Sequence, residues 1–264
     1  MKTLRAIFSV FLGTMFLLST FCIPAFAMPV ADRNEKAPQK LNSDEIIVYV
    51  TVAVRGTIAR TDDETLMVQV PLIVKDTDQN GVFTVEEALT QLHEKYCPGG
   101  FSTHPEKCGP VIDCLWGVKE NNKDFYINNE KGFALRDELH FYDQLYAFSY
   151  VENWKDPYLF FEKSDDSTVL FRDYTVRLYR ADPVDKTKKV PVANAKLYRY
   201  NQKGNLVSLN AVTDQNGEAT FFFDKRGDYL LTARVDGEII VPPVMTLHVA
   251  GGILSMIINP NLPK

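Results

Sequence analysis

The stretch LMVQVPLIVKDTDQNGVFTVEEALTQLHEKY, Leu66–Tyr96, changes period once, and that change sets the expected fold. Leu66 to Val74 is apolar and rich in β-branched residues, which suits a strand. From Val85 the apolar residues fall at Val85, Ala88, Leu89, Leu92 and Tyr96, the spacing of one helix face. Cys97-Pro98-Gly99-Gly100 ends that helix, and KDTDQNGVFT before it is a loop. Upstream, Ile46–Ala59 alternates as a strand does; downstream, Asp124–Asn128 and Leu145–Val151 are strand-like. Strand, strand, helix and further strands make residues 44–163 an expected α+β module, a mixed sheet with one main helix.

Glu162-Lys163-Ser164-Asp165-Asp166-Ser167 is the best boundary, and beyond it helical periodicity stops. Tyr174–Tyr179, Ala195–Tyr200, Asn205–Ala211, Glu218–Phe223, Tyr229–Val235 and Val244–Val249 follow as short strands separated by turn residues. Their spacing, roughly 8–12 residues, is that of a β-sandwich. The expected fold class is therefore an α+β N-terminal module followed by an all-β sandwich domain over residues 168–264.

The N-terminus points to export. Lys2 and Arg5 precede the apolar run Ala6–Thr20, and Ala25-Phe26-Ala27 offers the small-x-small pattern of a cleavage site. Residues 1–27 read as a signal peptide cut after Ala27, and 28–43 as a disordered leader, making the protein secreted or surface-associated. Later segments are too short and polar to span a membrane. Loss of Lys2 and Arg5 takes the formal charge from −5 to −7. An acidic chain without a basic stripe argues against nucleic acid and anionic membranes and suits a cation ligand. Three cysteines remain, Cys97, Cys108 and Cys114. Two pairings stay open: Cys97–Cys108, closing the loop CPGGFSTHPEKC, and Cys97–Cys114.

Asp76 to Glu87, DTDQNGVFTVEE, fits the twelve-residue calcium loop of the EF-hand. Asp76, Asp78 and Asn80 supply oxygens at positions 1, 3 and 5, and Gly81 takes the sharp turn at 6. Val82 offers its carbonyl at 7, Thr84 its hydroxyl at 9, and Glu87 a bidentate carboxylate at 12. A capped turn without metal would explain Gly81, Thr84 and Glu87, since Thr84 and Glu87 form a capping box. It does not explain Asp76, Asp78 and Asn80 converging on one point. The entering segment is a strand and no sister loop is present, so a dissociation constant of about 10⁻⁴–10⁻³ M is expected, as in extracellular modules. TDQNG recurs at Thr213–Gly217, where Val212 and Phe223 occupy the outer ligand positions. That copy reads as a β-hairpin turn.

Two family resemblances add to this. VEEALTQLHEKY (Val85–Tyr96), LWG (Leu115–Gly117), FYINNE (Phe125–Glu130) and DQLYAFSY (Asp143–Tyr150) resemble the transcobalamin-like C-terminal domain family of exported bacterial proteins. That resemblance implies a small mixed α/β module used in binding or display, in transcobalamin against a corrinoid. Ala195–Ala233 resembles the prealbumin-like or Cna-B-type β-sandwich modules of bacterial surface proteins. Ala233 stands where many such modules carry the glutamate that promotes an isopeptide bond, so none is implied here.

Trp116, Tyr126, Asn128 and Tyr146, with Phe148, Tyr150 and Trp154, form a candidate ligand platform. The alternative is that the Tyr146–Phe148–Tyr150 face packs on the helix and Asn128-Asn129 makes a turn. His93 and Cys97, four apart on one helix face, read as a helix end and not as a base and nucleophile. His104, His140 and His248 lack zinc-ligand spacing, and nucleophile-elbow, phosphate-loop and dinucleotide motifs are missing. The expectation is a non-enzymatic, calcium-binding structural or adhesive module. Its partners are calcium and a cell-surface protein; the other reading makes it a binder of a small molecule such as a corrinoid.

Overall fold

Arg55-Gly56 divides what reads as one long strand. The structure is a computed structural model that describes residues 41–107, 109–120, 122–152, 157–182, 185 and 188–251. In it β1 (Glu45–Val54) turns back into β2 (Thr57–Ile58), with Val54 opposite Thr57. Arg55 (φ 51°) and Gly56 (φ 72°) both take the left-handed conformation that a two-residue hairpin needs. β3 (Val70–Lys75) starts later than its apolar run, because Gln69 (φ 47°) breaks the extended chain and donates its N–H to Thr51 Oγ1 at 3.0 Å.

The helix α1 spans Val85–Tyr96, as its periodicity predicts, with Thr84 as N-cap in a complete capping box. The cysteine loop is a hairpin, β4 (Phe101–Glu106) with β5 (Gly109–Leu115). β6 (Lys123–Ile127), β7 (Glu130–Lys131) and β8 (Gln144–Ser149) complete a six-stranded sheet in which β8 lies parallel to β1. Alternation along β8 sorts its residues between two cores. Leu145 and Ala147 face Val85, Ala88, Leu89 and Leu92 of α1, whereas Tyr146, Phe148 and Tyr150 face the other way. The aromatic face therefore packs away from the helix.

What covers that face is the rest of the chain. β9 (Leu159–Phe161), β10 (Asp165–Val169), β11 (Tyr174–Ala181), β12 (Lys189–Pro191), β13 (Ala195–Tyr200), β14 (Leu206–Val212), β15 (Glu218–Phe221), β16 (Gly227–Val235) and β17 (Met245–Ala250) form two sheets. One runs β10-β17-β16-β13-β14; the other runs β12-β11-β15, with β9 also paired to β11. They close over a common core that includes Val176, Leu178, Leu197, Phe221, Leu231 and Leu247. A further cluster joins this part to the first: Tyr126, Tyr146, Phe148 and Tyr150 from the first sheet meet Tyr158, Tyr200, Leu230 and Val241. Tyr158 stacks on Tyr126 with centroids 3.8 Å apart, and Tyr146 Oη donates to the Pro242 carbonyl at 2.5 Å. Gln69 donates to the Ser164 carbonyl and accepts from Thr246 Oγ1, each at 2.8 Å.

The expected α+β module followed by a separate all-β sandwich does not hold. Among the described residues there is one helix against seventeen strands, so the chain is predominantly β. No self-contained helix-bearing unit stands apart from an all-β one. β9 pairs forward with β11, residues 165–169 form β10 within a sheet, and one buried aromatic cluster belongs to both parts. The strong helical period of Val85–Tyr96 overstated the helix's share, because short strands held by distant partners leave weak local patterns.

The second TDQNG is a turn but not a hairpin between paired strands. Gly217 N–H donates to Asp214 O at 3.0 Å, yet β14 pairs with β13 whereas β15 pairs with β11. The turn carries the chain from one sheet to the other. Gly217 (φ +75°) lies so close to β11 that an added Cβ would sit 2.4 Å from the Leu178 carbonyl oxygen. Gly217→Ala is expected to cost about 1–3 kcal/mol in urea unfolding, through backbone strain and that collision. Gly81→Ala has a similar φ of +84° but open space around it, and serves as the strain-only comparison.

Candidate metal centre

The loop after β3 is held at both ends. Gln91, on α1, accepts from the Lys75 N–H at 3.0 Å and donates to the Lys75 carbonyl at 2.9 Å, so the helix grips the end of the strand. The first-turn N–H groups of α1 are already taken. Val85 N–H donates to Asp137 O, Glu86 N–H to Leu135 O, and Glu87 N–H to Thr84 Oγ1. The helix start is thus satisfied by protein, and what remains beside it is a set of acceptors.

Asp76, Asp78 and Glu87 each bring a carboxylate oxygen within 4.8 Å of the others. Backbone donors hold two of them from within the loop: Gly81 N–H bonds Asp76 Oδ2 at 2.7 Å, and Asn80 N–H bonds Asp76 Oδ1 and Asp78 Oδ1 at 3.2 Å each. Asn80 Oδ1 accepts from Val82 N–H at 2.7 Å. Gln79 (φ 58°) and Gly81 (φ 84°) supply the left-handed residues that curl the loop around this point. Burial pushes the Asp76 carboxyl up, but bonds from Gly81, Asn80, Asp78 and Gln79 outweigh it and hold its pKa below the ordinary value.

Whether a cation fits turns on Glu87. Its Oε1 accepts from the N–H and hydroxyl of Thr77, at 2.7 and 2.8 Å; its Oε2 accepts from the N–H and hydroxyl of Thr84, at 3.0 and 3.1 Å. A carboxylate offers about four lone-pair directions, so all of Glu87's are engaged. Two of the donors are hydroxyls, which rotate freely, and turning them away frees one direction on each oxygen while both backbone bonds persist. Asp76 keeps spare lone pairs without any change. The donors are all hard oxygens, with no imidazole or thiolate, which suits calcium rather than zinc or copper. Asp78, Asn80, Val82, Thr84 and Glu87 line one groove, and Arg136 lines it too. The loop motif indicates none of Arg136, Thr77 and the Gln91 clamp: Arg136 and Gln91 lie outside it, and Thr77 sits at one of its non-ligand positions.

The remaining site residues do not converge. Tyr126 and Tyr146 are cross-strand partners, buried beneath Tyr158. Asn128 (φ 52°) makes a turn and bonds Asp143 at 2.7 Å. Trp116 lies elsewhere: its Nε1 donates to Arg60 O at 2.8 Å, and Arg60 Nη2 reaches Gly204 O at 2.7 Å. A cavity of about 20 Å³ lies beside Tyr146 and Tyr158, room for one water molecule but not for an organic ligand. His93 is buried between Phe101 and Trp116; its Nδ1–H donates to Leu89 O at 2.6 Å and its Nε2 accepts from Trp116 N–H at 3.2 Å. Cys97 and Cys114 are not bonded to each other, so the Cys97–Cys114 pairing does not form, and Cys114 Sγ lies 3.4 Å from Gly100 O. Cys108, Trp154, the signal peptide and most of the leader lie outside the described residues, and the Cys97–Cys108 pairing with them. No helix among the described residues is long and apolar enough to cross a membrane.

No family model and no curated protein matches this chain. Among solved structures it is similar to the human desmocollin-1 ectodomain at 12% identity, covering 80% of this chain and 43% of that one, with a TM-score of 0.23. It is also similar to extracellular cadherin domains 1–4 of protocadherin gamma B7, at 7% identity over 80% and 52%, TM-score 0.23. Murine CEACAM1b matches at 9% identity over 78% and 100%, TM-score 0.20. This chain spans about half the length of the first two. Likenesses at these scores carry no argument about fold or function.

Proposed function

We propose that Asp76–Glu87 holds one calcium ion as a structural staple, in an exported protein that acts by binding or display and not by catalysis. The observation that supports this is the approach of three carboxylates, from Asp76, Asp78 and Glu87, to within 4.8 Å of one another. The loop's N–H and hydroxyl donors offset part of the repulsion among negative groups that close, and a cation among them would offset the rest. Asp76, Asp78, Asn80 and Glu87 would hold the ion by side-chain oxygens, joined by the Val82 carbonyl and the Thr84 hydroxyl. When bound, the ion would supply charge balance and tie β3 to the start of α1. The sequence resemblances to exported bacterial modules point toward the same setting. The small-molecule reading loses its platform, since Tyr126 and Tyr146 are covered.

The linkage is modest. At calcium concentrations from one to ten times the dissociation constant, stabilisation is about 0.4–1.4 kcal/mol. For a chain of this size that raises the melting temperature by about 1–5 °C. Millimolar calcium is expected to produce that rise in the wild type and none in Asp76→Asn/Glu87→Gln; a wild type indifferent to calcium refutes the reading.

A further inference from the structure

We propose that His248, held as an imidazolium between Asp228 and Asp165, is a pH-released clasp that fastens the edge strand β10 to its sheet. His248 Nδ1 lies 2.6 Å from Asp228 Oδ1, and Nε2 lies 3.2 Å from Asp165 Oδ2. A neutral imidazole carries one N–H and one bare lone pair, so either tautomer sets a lone pair against a carboxylate oxygen. Only the doubly protonated ring donates on both sides.

The three residues stand on three adjacent strands. Asp228, on β16, is directly opposite His248 on β17, and Asp165 begins β10 on the other side. Two carboxylates act on the ring, one from each flanking strand. β17 carries no other charge, and Asp166 on β10 is engaged by Lys163 and Tyr174. Burial lowers the imidazole's pKa, but the bonds and charges of Asp228 and Asp165 outweigh it and raise it above the ordinary 6.5.

β10 is the strand that needs fastening. It sits at the sheet edge, pairs with β17, and reads DDSTV, with little apolar surface to bury. Its lead-in residue, Ser164, accepts from Gln69, which immediately precedes β3, so β10 also anchors the contact between the two parts. The Asp165 arm is the longer of the two, so loss of the second ring proton loosens β10 first. The sign follows from the raised pKa: the clasp is fully closed below pH 6.5 and is lost as pH rises through the folded-state value.

Histidine-detected NMR titration of the full chain, with amide exchange of Ser167–Val169 corrected for intrinsic rates, tests this. His248 is expected to titrate above 6.5, with its midpoint falling in Asp165→Asn and in Asp228→Asn. Exchange in β10 should accelerate as pH passes that midpoint, and His248→Gln should remove this dependence. A His248 midpoint at or below 6.5, or the same pH course of exchange with and without His248, overturns the proposal. The wild-type titration decides it even if a variant fails to fold.

Discussion

Tyr158→Ala is expected to lower the unfolding free energy by about 3–5 kcal/mol, the cost of removing a buried aromatic ring. The ring is 5% exposed and lies at the centre of the contact between the first sheet and the remainder of the chain. It stacks on Tyr126, meets Tyr146 edge-on at 5.4 Å, and lies 5.9 Å from Phe148. Its hydroxyl donates to Asn129 Oδ1 at 2.9 Å. Truncation leaves a void that β-sheet backbones on both sides cannot collapse to fill. Tyr158→Phe keeps the ring and loses that bond, so it should cost about 1 kcal/mol. Urea unfolding measures both. The wild type should unfold in one transition, and Tyr158→Ala should separate it into two, because the shared cluster is what couples the parts. A loss under about 1 kcal/mol for Tyr158→Ala, or two transitions already in the wild type, contradicts the described packing.

The second large effect is acid destabilisation through His93. Burial, opposed by the weaker effect of its bond to Leu89 O, lowers this imidazole to about 4 from 6.5. Protonation would also place an N–H on Nε2, facing the Trp116 N–H that now donates to it. The folded pKa is depressed, so the unfolded chain binds the proton first. Stability is complete above pH 6.5 and falls as pH drops from 6.5 to about 4, by about 3 kcal/mol from this group alone. His93→Leu removes the titration but strands the Trp116 N–H, at a pH-independent cost of about 1–3 kcal/mol. The difference between wild type and variant should therefore shrink on acidification. A difference that stays constant from pH 7 to 4 shows that His93 is not held neutral. His93 and His248 act in opposite directions, one buried away from charge and the other set between two carboxylates.

What could be read from the residues was what is local. α1 begins and ends where the Thr84–Glu87 capping box and Pro98-Gly99 place it. β13 covers the residues its alternation indicates, and β11, β14, β16 and β17 differ only at their ends. β9, β10 and β12 went unread because they are short, and DDSTV and KVP have no apolar alternation. The alternation of Tyr146, Phe148 and Tyr150 showed that they share a face, but not which layer covers it; a period cannot name the partner. Arg55 hid a hairpin, since arginine at a left-handed position is no turn signal. In the loop the carboxylates were legible because their spacing is itself the geometry. Gln91 and Arg136 were not, because they reach that point only through the fold.

The calcium reading is tested most directly by titrating calcium into the metal-free chain in a calorimeter. One site per chain is expected, with a dissociation constant of about 10⁻⁴–10⁻³ M, abolished in Asp76→Asn/Glu87→Gln while the unfolding transition in metal-free buffer is retained. No saturable heat from the wild type, or undiminished binding in the double variant, would contradict it.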